Sequence, residues 1–136
     1  MLEKRNFYIN GSLVAPKKPS DIEVINPASE KACAVISLGS KDDVNDAVLS
    51  AKEAFKTWGY STREDRIALL ETFYTLYKKR WNDITDAIIQ EMGAPKDFAS
   101  KLQTGTGASH TKSFIRYLKE FEFEKPLGEH AKNQRL

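Results

Sequence analysis

The chain has 136 residues, of which 40% are hydrophobic and 29% are charged, and this composition excludes an intrinsically disordered protein. The formal net charge is +2, from 21 Lys and Arg against 19 Asp and Glu, which is too balanced to indicate a nucleic-acid or membrane-surface partner. No stretch of the sequence approaches the roughly 20 apolar residues of a membrane-spanning helix.

The first residues, MLEKRNFYING, are charged and then strand-like, where a secretion signal needs an apolar segment. The sequence holds one cysteine, Cys33, which excludes an internal disulfide framework. Both observations favour a protein of the reducing cytoplasm.

The N-terminal region is predicted to form two antiparallel β ribbons. Asn10 and Gly11 lie between two short apolar runs, and this pair is a strong hairpin signal because both residues tolerate a positive φ. A β-branched run at residues 22–25 and a strand at about residues 32–37 form the second ribbon. Pro27 keeps the residue before it out of the helical region, so a turn is expected between these two strands.

Caps and breaks divide the rest of the chain into amphipathic helices. Ser40 with Asp43 resembles a capping box, and Ser61 with Glu64 is predicted to cap the second helix. Residues 82–83 are suited to recap the chain, which would split one long helix into two. The run MGAP is predicted to end the next helix, because glycine suits a left-handed C-cap and proline cannot continue a helix.

Two apolar stripes at helical spacing predict the buried helix faces. The stripe of the first helix comprises Val44, Ala47, Val48, Ala51, Phe55 and Trp58. The stripe of the next helices comprises Ile67, Leu70, Tyr74, Tyr77, Trp81, Ile84 and Ile88. Leu69, Phe73 and Leu76 widen the second stripe, so these helices are expected to pack on two neighbours.

A third helical region begins near Asp97 and ends in an amphipathic part that includes Ile115 and Leu118. Between them lies TGTGASH, where each glycine costs about 1 kcal/mol relative to alanine in a helix. Either a helix through this run or a local kink is expected. The tail FEKPLGEHAKNQRL has no packing pattern of its own.

Cys33 is the first candidate for chemistry. A nucleophilic cysteine needs a helix N-terminus, a cation or a histidine nearby to stabilise its thiolate. Cys33 lies instead in the apolar run ACAVI, so simple packing is the prediction.

The glycines and histidines do not form a predicted ligand site. The run TGTGASHTK lacks a preceding strand and the P-loop spacing, and His110 stands where the third glycine of a GxGxxG motif belongs. His110 and His130 lie in polar surroundings with no second ligand at helical spacing, so a metal site is not expected.

The basic cluster of Lys78, Lys79 and Arg80 lies beside Tyr77 and Trp81, an arrangement that can suit nucleic acid. Because both aromatic residues fall in the apolar stripe, the three cations are interpreted as a solvated face. The carboxylates are interpreted as pairing with lysines along helix faces, as in KEFEFEK, which also indicates a solvated surface. The residues therefore predict a helix-rich α+β chain with no catalytic, cofactor-binding or metal site.

The order of elements resembles the N-terminal region of the aldehyde dehydrogenase superfamily, over about residues 7–129. The runs that carry the likeness are FYINGSLV, VINPASEK, ISLGSKDDVNDAVLSAKEAFKTW, STREDRIALLETF and IIQEMGAP. The matching positions are Asn26, Pro27, Ala28, Ser29, Asp43, Val44, Ala47, Val48, Ala51, Ala54, Phe55, Trp58, Arg66, Leu69, Leu70, Glu91, Gly93 and Pro95. Each motif is weak alone, but five in the family's order and with its gaps indicate the family.

The resemblance implies the first quarter to third of an NAD(P)-dependent enzyme that oxidises an aldehyde to a carboxylic acid through a cysteine thiohemiacetal and thioester. The family's catalytic and cofactor-binding residues lie further along its chain, so none is carried over to this sequence. Trp81 and Asn82 do not match the family's Trp-Asn-x-Pro segment. Glu91 and Val24 are the positions nearest to the family's monovalent-cation site, but its other ligands are missing, so no metal site is predicted.

The implied fold is an α+β fragment in one folded unit. It has β-hairpins at 1–39, a helical region of the cofactor-binding domain at 40–124, and the start of an oligomerisation strand or linker at 125–136. The three to four helices would form the outer layer of that domain, without the parallel sheet on which they pack in the family. Apolar faces at Phe73, Leu76 and Ile89 are therefore expected to stay uncovered and to drive self-association.

Three functional readings follow from the sequence. The first is an N-terminal part of an NAD(P)-dependent aldehyde dehydrogenase, inactive alone, with the aldehyde a substrate only of the full-length parent. The second is a short non-catalytic interaction or regulatory module derived from that family. The third, which the residues support least, is a nucleic-acid-binding helical domain.

Overall fold

The N-terminal part of the chain forms two antiparallel β ribbons, as the sequence predicts. The structure, a computed structural model, describes residues 1–128. The strands are β1 (Leu2–Lys4), β2 (Phe7–Ile9), β3 (Ser12–Val14), β4 (Asp21–Asn26) and β5 (Lys31–Ser37). β2 pairs with β3 and β4 pairs with β5, each in antiparallel register.

Both ribbons turn at residues with left-handed backbone. Asn10 (φ 52°) and Gly11 (φ 78°) connect β2 to β3, as a two-residue hairpin requires. In the second turn the side-chain oxygen of Asn26 accepts a hydrogen bond from the Ala28 N–H at 2.9 Å, and Glu30 has a φ of 56°. This side-chain bond to the backbone explains why the Asn-Pro pair ends β4.

β1 is a strand that the sequence analysis did not predict. It pairs in parallel with β5, with Leu2 opposite Ala34, so the sheet order is β1-β5-β4. Its three residues, LEK, do not show the apolar alternation that marks a half-buried strand in a sequence, and all three are exposed. Arg5, directly after β1, donates to Asp21 of β4 at 2.7 Å and ties the strand to the sheet.

Helices make up most of the remaining chain. They are α1 (Lys41–Trp58), α2 (Arg63–Lys79), α3 (Trp81–Met92), α4 (Lys96–Phe98), a π-helical segment (Ala99–Thr104) and α5 (Gly105–Glu120). The run TGTGASH is therefore helical throughout, which was one of its two expected outcomes. None of the helices within residues 1–128 is long and apolar enough to cross a bilayer.

The cap of α2 lies one residue beyond its predicted position. The capping box is Thr62 with Asp65, not Ser61 with Glu64. The Ser61 hydroxyl donates instead to the Trp58 carbonyl at 2.7 Å, at the end of α1. Both pairs satisfy the sequence pattern, so the path of the chain after α1 selects between them.

The break between α2 and α3 falls at Arg80, not at residues 82–83. Arg80 has a φ of −99° and a ψ of 19°, and no side chain caps α3. Asp83 accepts from Arg80 Nε at 3.1 Å, so it is an ion-pair partner within the helix and not a cap. α3 ends at Gly93 with a φ of 62°, the left-handed C-cap that the sequence predicts.

Most of the buried core lies where the later helices meet, and one further buried residue, Val35, lies on β5. Among residues 1–128, the buried hydrophobic residues are Val35, Ala99, Ala108 and Ile115. The predicted stripe of α2 and α3, at Ile67, Leu70, Tyr74, Tyr77, Trp81, Ile84 and Ile88, is half-buried along its whole length. α2 packs on α5 and α3 packs on the π-helical segment, which accounts for this burial.

The predicted apolar face of α1 is not buried, and that expectation is wrong for this chain. Val44 and Phe55 are 57% and 69% exposed, and Trp58 is 46% exposed. The main neighbour of α1 is the short strand β2. The amphipathic pattern of the helix is present, but no other described element covers it.

The first turn of α1 is fixed by the carboxylate of Asp43, which is only 4% exposed. It accepts hydrogen bonds from the Ser40 N–H (2.8 Å), the Ser40 hydroxyl (2.6 Å) and the Lys17 N–H (3.0 Å). These bonds, the Ser40 hydroxyl first among them, lower the pKa of Asp43 below its usual range. Asp43 therefore caps α1 and also holds the loop before β4 against it.

Replacing Asp43 with asparagine should destabilise the fold at neutral pH and flatten the acid side of its stability curve. A carboxyl whose pKa is lowered by folding stabilises the folded state above its unfolded pKa of about 3.9. That contribution is lost as the pH falls through the lower folded pKa. Urea denaturation from about pH 7 to about pH 2 measures the effect.

Asp65→Asn is the matched control, because Asp65 also has a pKa lowered by its capping threonine but is exposed and has no bond to a distant loop. We expect a smaller loss for this variant. Equal pH slopes for wild type and the Asp43→Asn variant would contradict the prediction.

Candidate interaction surface

Three side-chain hydrogen bonds join α2 and α3 to the π-helical segment. Tyr77 Oη donates to the Thr104 carbonyl at 3.0 Å, and Trp81 Nε1 donates to Ser100 Oγ at 3.0 Å. The hydroxyls of Thr85 and Thr104 lie 2.9 Å apart. Thr104 is fully buried and Thr85 is 3% exposed. We call these five residues the polar seam.

Sequence reasoning missed the polar seam because it treated Tyr77 and Trp81 as apolar stripe residues only. The glycines of TGTG were the available signal, since small residues allow close approach of an aromatic ring. A Cβ at Gly107 would collide with the Tyr77 hydroxyl. The Gly105 N–H donates to the Ser100 and Leu102 carbonyls of the π-helical segment, so it is not free for a phosphate. Gly107 therefore makes room for the Tyr77 ring, whereas a Cβ at Gly105 would meet its neighbours only at ordinary contact distance.

A shallow groove of about 650 Å³ lies in the elbow between α2 and α3. Its lining residues are Phe73, Leu76, Tyr77, Arg80, Asp83, Ile84, Ala87, Ile88 and Glu91. We call this surface the elbow groove. Phe73 is 50% exposed and Leu76 is 53% exposed, as predicted for uncovered apolar residues.

Ile89 was predicted to be uncovered as well, and this is wrong. It is half-buried, because α3 packs against β4 and against the π-helical segment. Ile84 and Ile88, which line the elbow groove, are half-buried as well, and the exposed large apolar residue of α3 is Met92, outside the groove.

Cys33 lies on β5 and is half-buried. Its Sγ donates to the Val24 carbonyl at 3.3 Å and lies 3.9 Å from the Gln90 carbonyl of α3. These partners are acceptors, and acceptors do not favour a thiolate. The position agrees with the packing role that the sequence predicts.

The other polar candidates lie apart from the polar seam and the elbow groove, except Arg80. Lys78 and Lys79 are exposed, and the Lys78 ammonium lies 4.7 Å from the centre of the Tyr74 ring. His110 is exposed on α5, and His130 lies outside the described residues. Within residues 1–128, no group of three His, Cys, Asp or Glu side chains is placed to hold a metal ion.

The comparison with known families decides the assignment. The model of the aldehyde dehydrogenase family matches residues 13–135, which is most of the sequence. The chain belongs to the aldehyde dehydrogenase family. The resemblance drawn from the five sequence motifs is thereby confirmed.

Solved aldehyde dehydrogenases share this fold. The enzyme from Bartonella henselae matches with a TM-score of 0.92 and 46% identity, over 97% of this chain and 28% of its own. Aldehyde dehydrogenase C from Pseudomonas syringae, a variant solved with NAD+ and octanal, matches with a TM-score of 0.87 and 33% identity, over 92% and 26%. A curated relative, the 3-succinoylsemialdehyde-pyridine dehydrogenase of a Pseudomonas species, is 39% identical over 94% of this chain.

This aldehyde dehydrogenase chain spans 27% of the length of that curated relative. The predicted fold class, small β ribbons followed by helices as in the N-terminal region of the family, is confirmed by the structural matches. Residues 125–128 of the predicted oligomerisation segment form neither helix nor strand, and residues 129–136 lie outside the described part.

Glu91 and Val24, the positions nearest to the family's cation site, lie on different elements. Glu91 is exposed near the end of α3 and lines the elbow groove. Val24 is half-buried in β4, where its carbonyl accepts a hydrogen bond from the Cys33 thiol.

Proposed function

We propose that this chain forms the N-terminal layer of an NAD(P)-dependent aldehyde dehydrogenase that oxidises an aldehyde to a carboxylic acid. The observation that carries the proposal is the family match over residues 13–135, in a chain that spans only 27–28% of its relatives. The solved relative with NAD+ and octanal supports the reaction class. We place the enzyme in the cytoplasm. This chain has one cysteine and so forms no internal disulfide, which is in keeping with a reducing compartment.

We further propose that the chain contributes no catalytic, cofactor-binding or metal residue and is inactive alone. Oxidation through a cysteine thioester needs a thiolate and a base that activates water. Cys33 contacts two backbone carbonyls, and neither can act as a base for its thiol. We assign the nucleophile to another part of the enzyme.

The described residues do not fit a dinucleotide. A pyrophosphate binds where a helix N-terminus offers free N–H groups. At the start of α1 the Asp43 carboxylate already accepts the Ser40 N–H, and its charge would repel a phosphate. Gly105 and Gly107 lie inside a helix. We therefore assign NAD or NADP binding to other parts of the enzyme.

The purified chain should show no oxidation of octanal or shorter aldehydes with NAD+ or NADP+ above a protein-free blank. Nicotinamide reduction, followed by absorbance, is the measurement, and the Cys33→Ala variant is the control. Oxidation by the chain that this substitution abolishes would overturn the assignment of an inactive layer.

A non-catalytic interaction module is the second candidate function, and the elbow groove favours it. Half-exposed Phe73 and Leu76 belong to an apolar surface of the kind that mediates association. We propose that the isolated chain self-associates through such faces, and we expect no nucleic-acid or membrane partner. Co-purification with a full-length aldehyde dehydrogenase, in place of self-association, would favour docking on a relative.

A further inference from the structure

The C-terminal end of α5 is held by a side chain from another helix. α5 ends at Glu120, and Phe121 follows with an extended backbone (φ −70°, ψ 125°) in place of a left-handed glycine cap. The last carbonyls of a helix have no N–H partner within it, so they need donors from elsewhere. Arg63, the first residue of α2, donates from Nη1 to the Lys119 carbonyl at 3.3 Å and from Nη2 to the Phe121 carbonyl at 2.5 Å.

The electrostatics of the two helices explain what an arginine does at this position. A cation in the first turn of a helix is unfavourable for that helix, because the helix dipole is positive there. Arg63 is half-buried, whereas its neighbours Thr62 and Glu64 are exposed. Its guanidinium lies at the C-terminal end of α5, where the dipole is negative and a cation is favourable. The side chain is therefore placed to hold α5 and not to stabilise its own helix.

The contacts of Arg63 continue past the end of α5. Its guanidinium carbon lies 5.6 Å from the centre of the Phe123 ring, within the range of a cation–π contact. The rings of Phe121 and Phe123 meet edge to face, with their centres 4.9 Å apart. These residues form neither helix nor strand, so no ladder of backbone hydrogen bonds orders them. One guanidinium therefore holds both the last turn of α5 and the first residues beyond it.

We infer that Arg63 is a positioning residue that sets the direction in which the chain leaves α5. Its loss frees residues 119–125 while α2 and the rest of α5 stay folded. Under the proposed function, residues 125–136 begin an oligomerisation strand or linker, so this direction aligns the N-terminal layer with the next part of the enzyme. That last step rests on the proposed function, whereas the hold of Arg63 on the end of α5 does not.

Hydrogen exchange of the full chain, read by mass spectrometry, tests this inference in the Arg63→Ala variant. Exchange over residues 119–125 should become at least about five-fold faster than in wild type, because two charge-assisted hydrogen bonds are lost. Exchange in α3 should stay within about two-fold of wild type. Chymotrypsin cleavage after Phe121 and Phe123 should accelerate in parallel, relative to cleavage after Tyr8 in the distant β2.

Two controls remove other interactions at the same end of α5. Arg116→Ala removes a guanidinium that lies over the ring of its own neighbour, Tyr117, at 4.8 Å. Glu71→Ala removes the ion pair between α2 and Lys119 at 3.3 Å, whose side chains are each 54% exposed. Each should change exchange over residues 119–125 by less than about two-fold, because exposed pairs contribute little.

Arg63→Lys is the conservative variant. It keeps the charge but not the planar fork that reaches two carbonyls at once, so exchange over residues 119–125 should still be about three-fold faster than in wild type. Circular dichroism of every variant checks that the helices are retained.

Unchanged exchange and cleavage in the Arg63→Ala variant would overturn the inference, as would an equal effect of Arg116→Ala. If the alanine variant loses helix content, Arg63→Lys decides the matter. Exchange at the wild-type rate in that variant would overturn the inference, and acceleration confined to residues 119–125 supports it. None of these results bears on the aldehyde dehydrogenase function, which the oxidation assay tests separately.

Discussion

Gly93→Ala is expected to lower the free energy of unfolding by about 2–4 kcal/mol, as measured by urea denaturation. Gly93 has a φ of 62°, and an L-residue in this conformation costs roughly 1–2 kcal/mol. A Cβ would also lie 2.8 Å from the Ala28 backbone N and 3.0 Å from the Ala28 Cβ. The turn after β4 and the end of α3 would have to separate to admit the methyl group.

Gly11→Ala is the control, because it measures the stability lost to the left-handed backbone conformation alone, without a steric clash. Gly11 has a φ of 78°, and a Cβ there meets nothing within 4 Å. Its substitution should cost only the conformational penalty of about 1–2 kcal/mol. If both variants lose the same stability, the close packing of Gly93 on the β4–β5 turn has no energetic role.

Thr104→Val should destabilise the chain by about 1–3 kcal/mol, because it removes the partner of the buried Thr85 hydroxyl. Thr85→Val should have a similar effect, because it leaves the buried Thr104 hydroxyl without its partner. The two residues are 0% and 3% exposed, so water cannot replace the missing group without rearrangement of the helices.

The double variant, with valine at both positions, is expected to lose less than the sum of the single losses and to lie within about 1 kcal/mol of wild type. Both hydroxyls are then absent, and two methyl groups of similar shape fill the site. A double-mutant cycle measures the coupling. Strictly additive losses would show that the two hydroxyls do not depend on each other.

The local signals in the sequence were sufficient for most of the secondary structure. Asn10-Gly11 specified a hairpin, Ser40 with Asp43 specified the start of α1, and Gly93 specified the end of α3. Each of these depends on a few adjacent residues, whose backbone preferences and side-chain bonds hold wherever the segment packs. The family motifs are local in the same way, which is why their order identified the family.

Features that depend on distant neighbours were predicted less well. β1 exists because β5 offers it a parallel edge, and its own three residues carry no strand pattern. The choice of Thr62 over Ser61 as the cap of α2 depends on the Ser61 bond to the end of α1. In the first case no local pattern marks the strand, and in the second two local patterns are nearly equivalent; in both, a contact with another element decides the outcome.

By itself, then, the sequence determined which segments other than β1 are helix or strand, where most of them end, and the family to which the chain belongs. Only the tertiary structure decided which apolar faces are covered. The stripe of α2 and α3 is half-buried, whereas that of α1 is exposed. Amphipathic spacing records that a face is suited to burial, but burial itself requires a neighbour, and the neighbour is set by the packing of the whole chain.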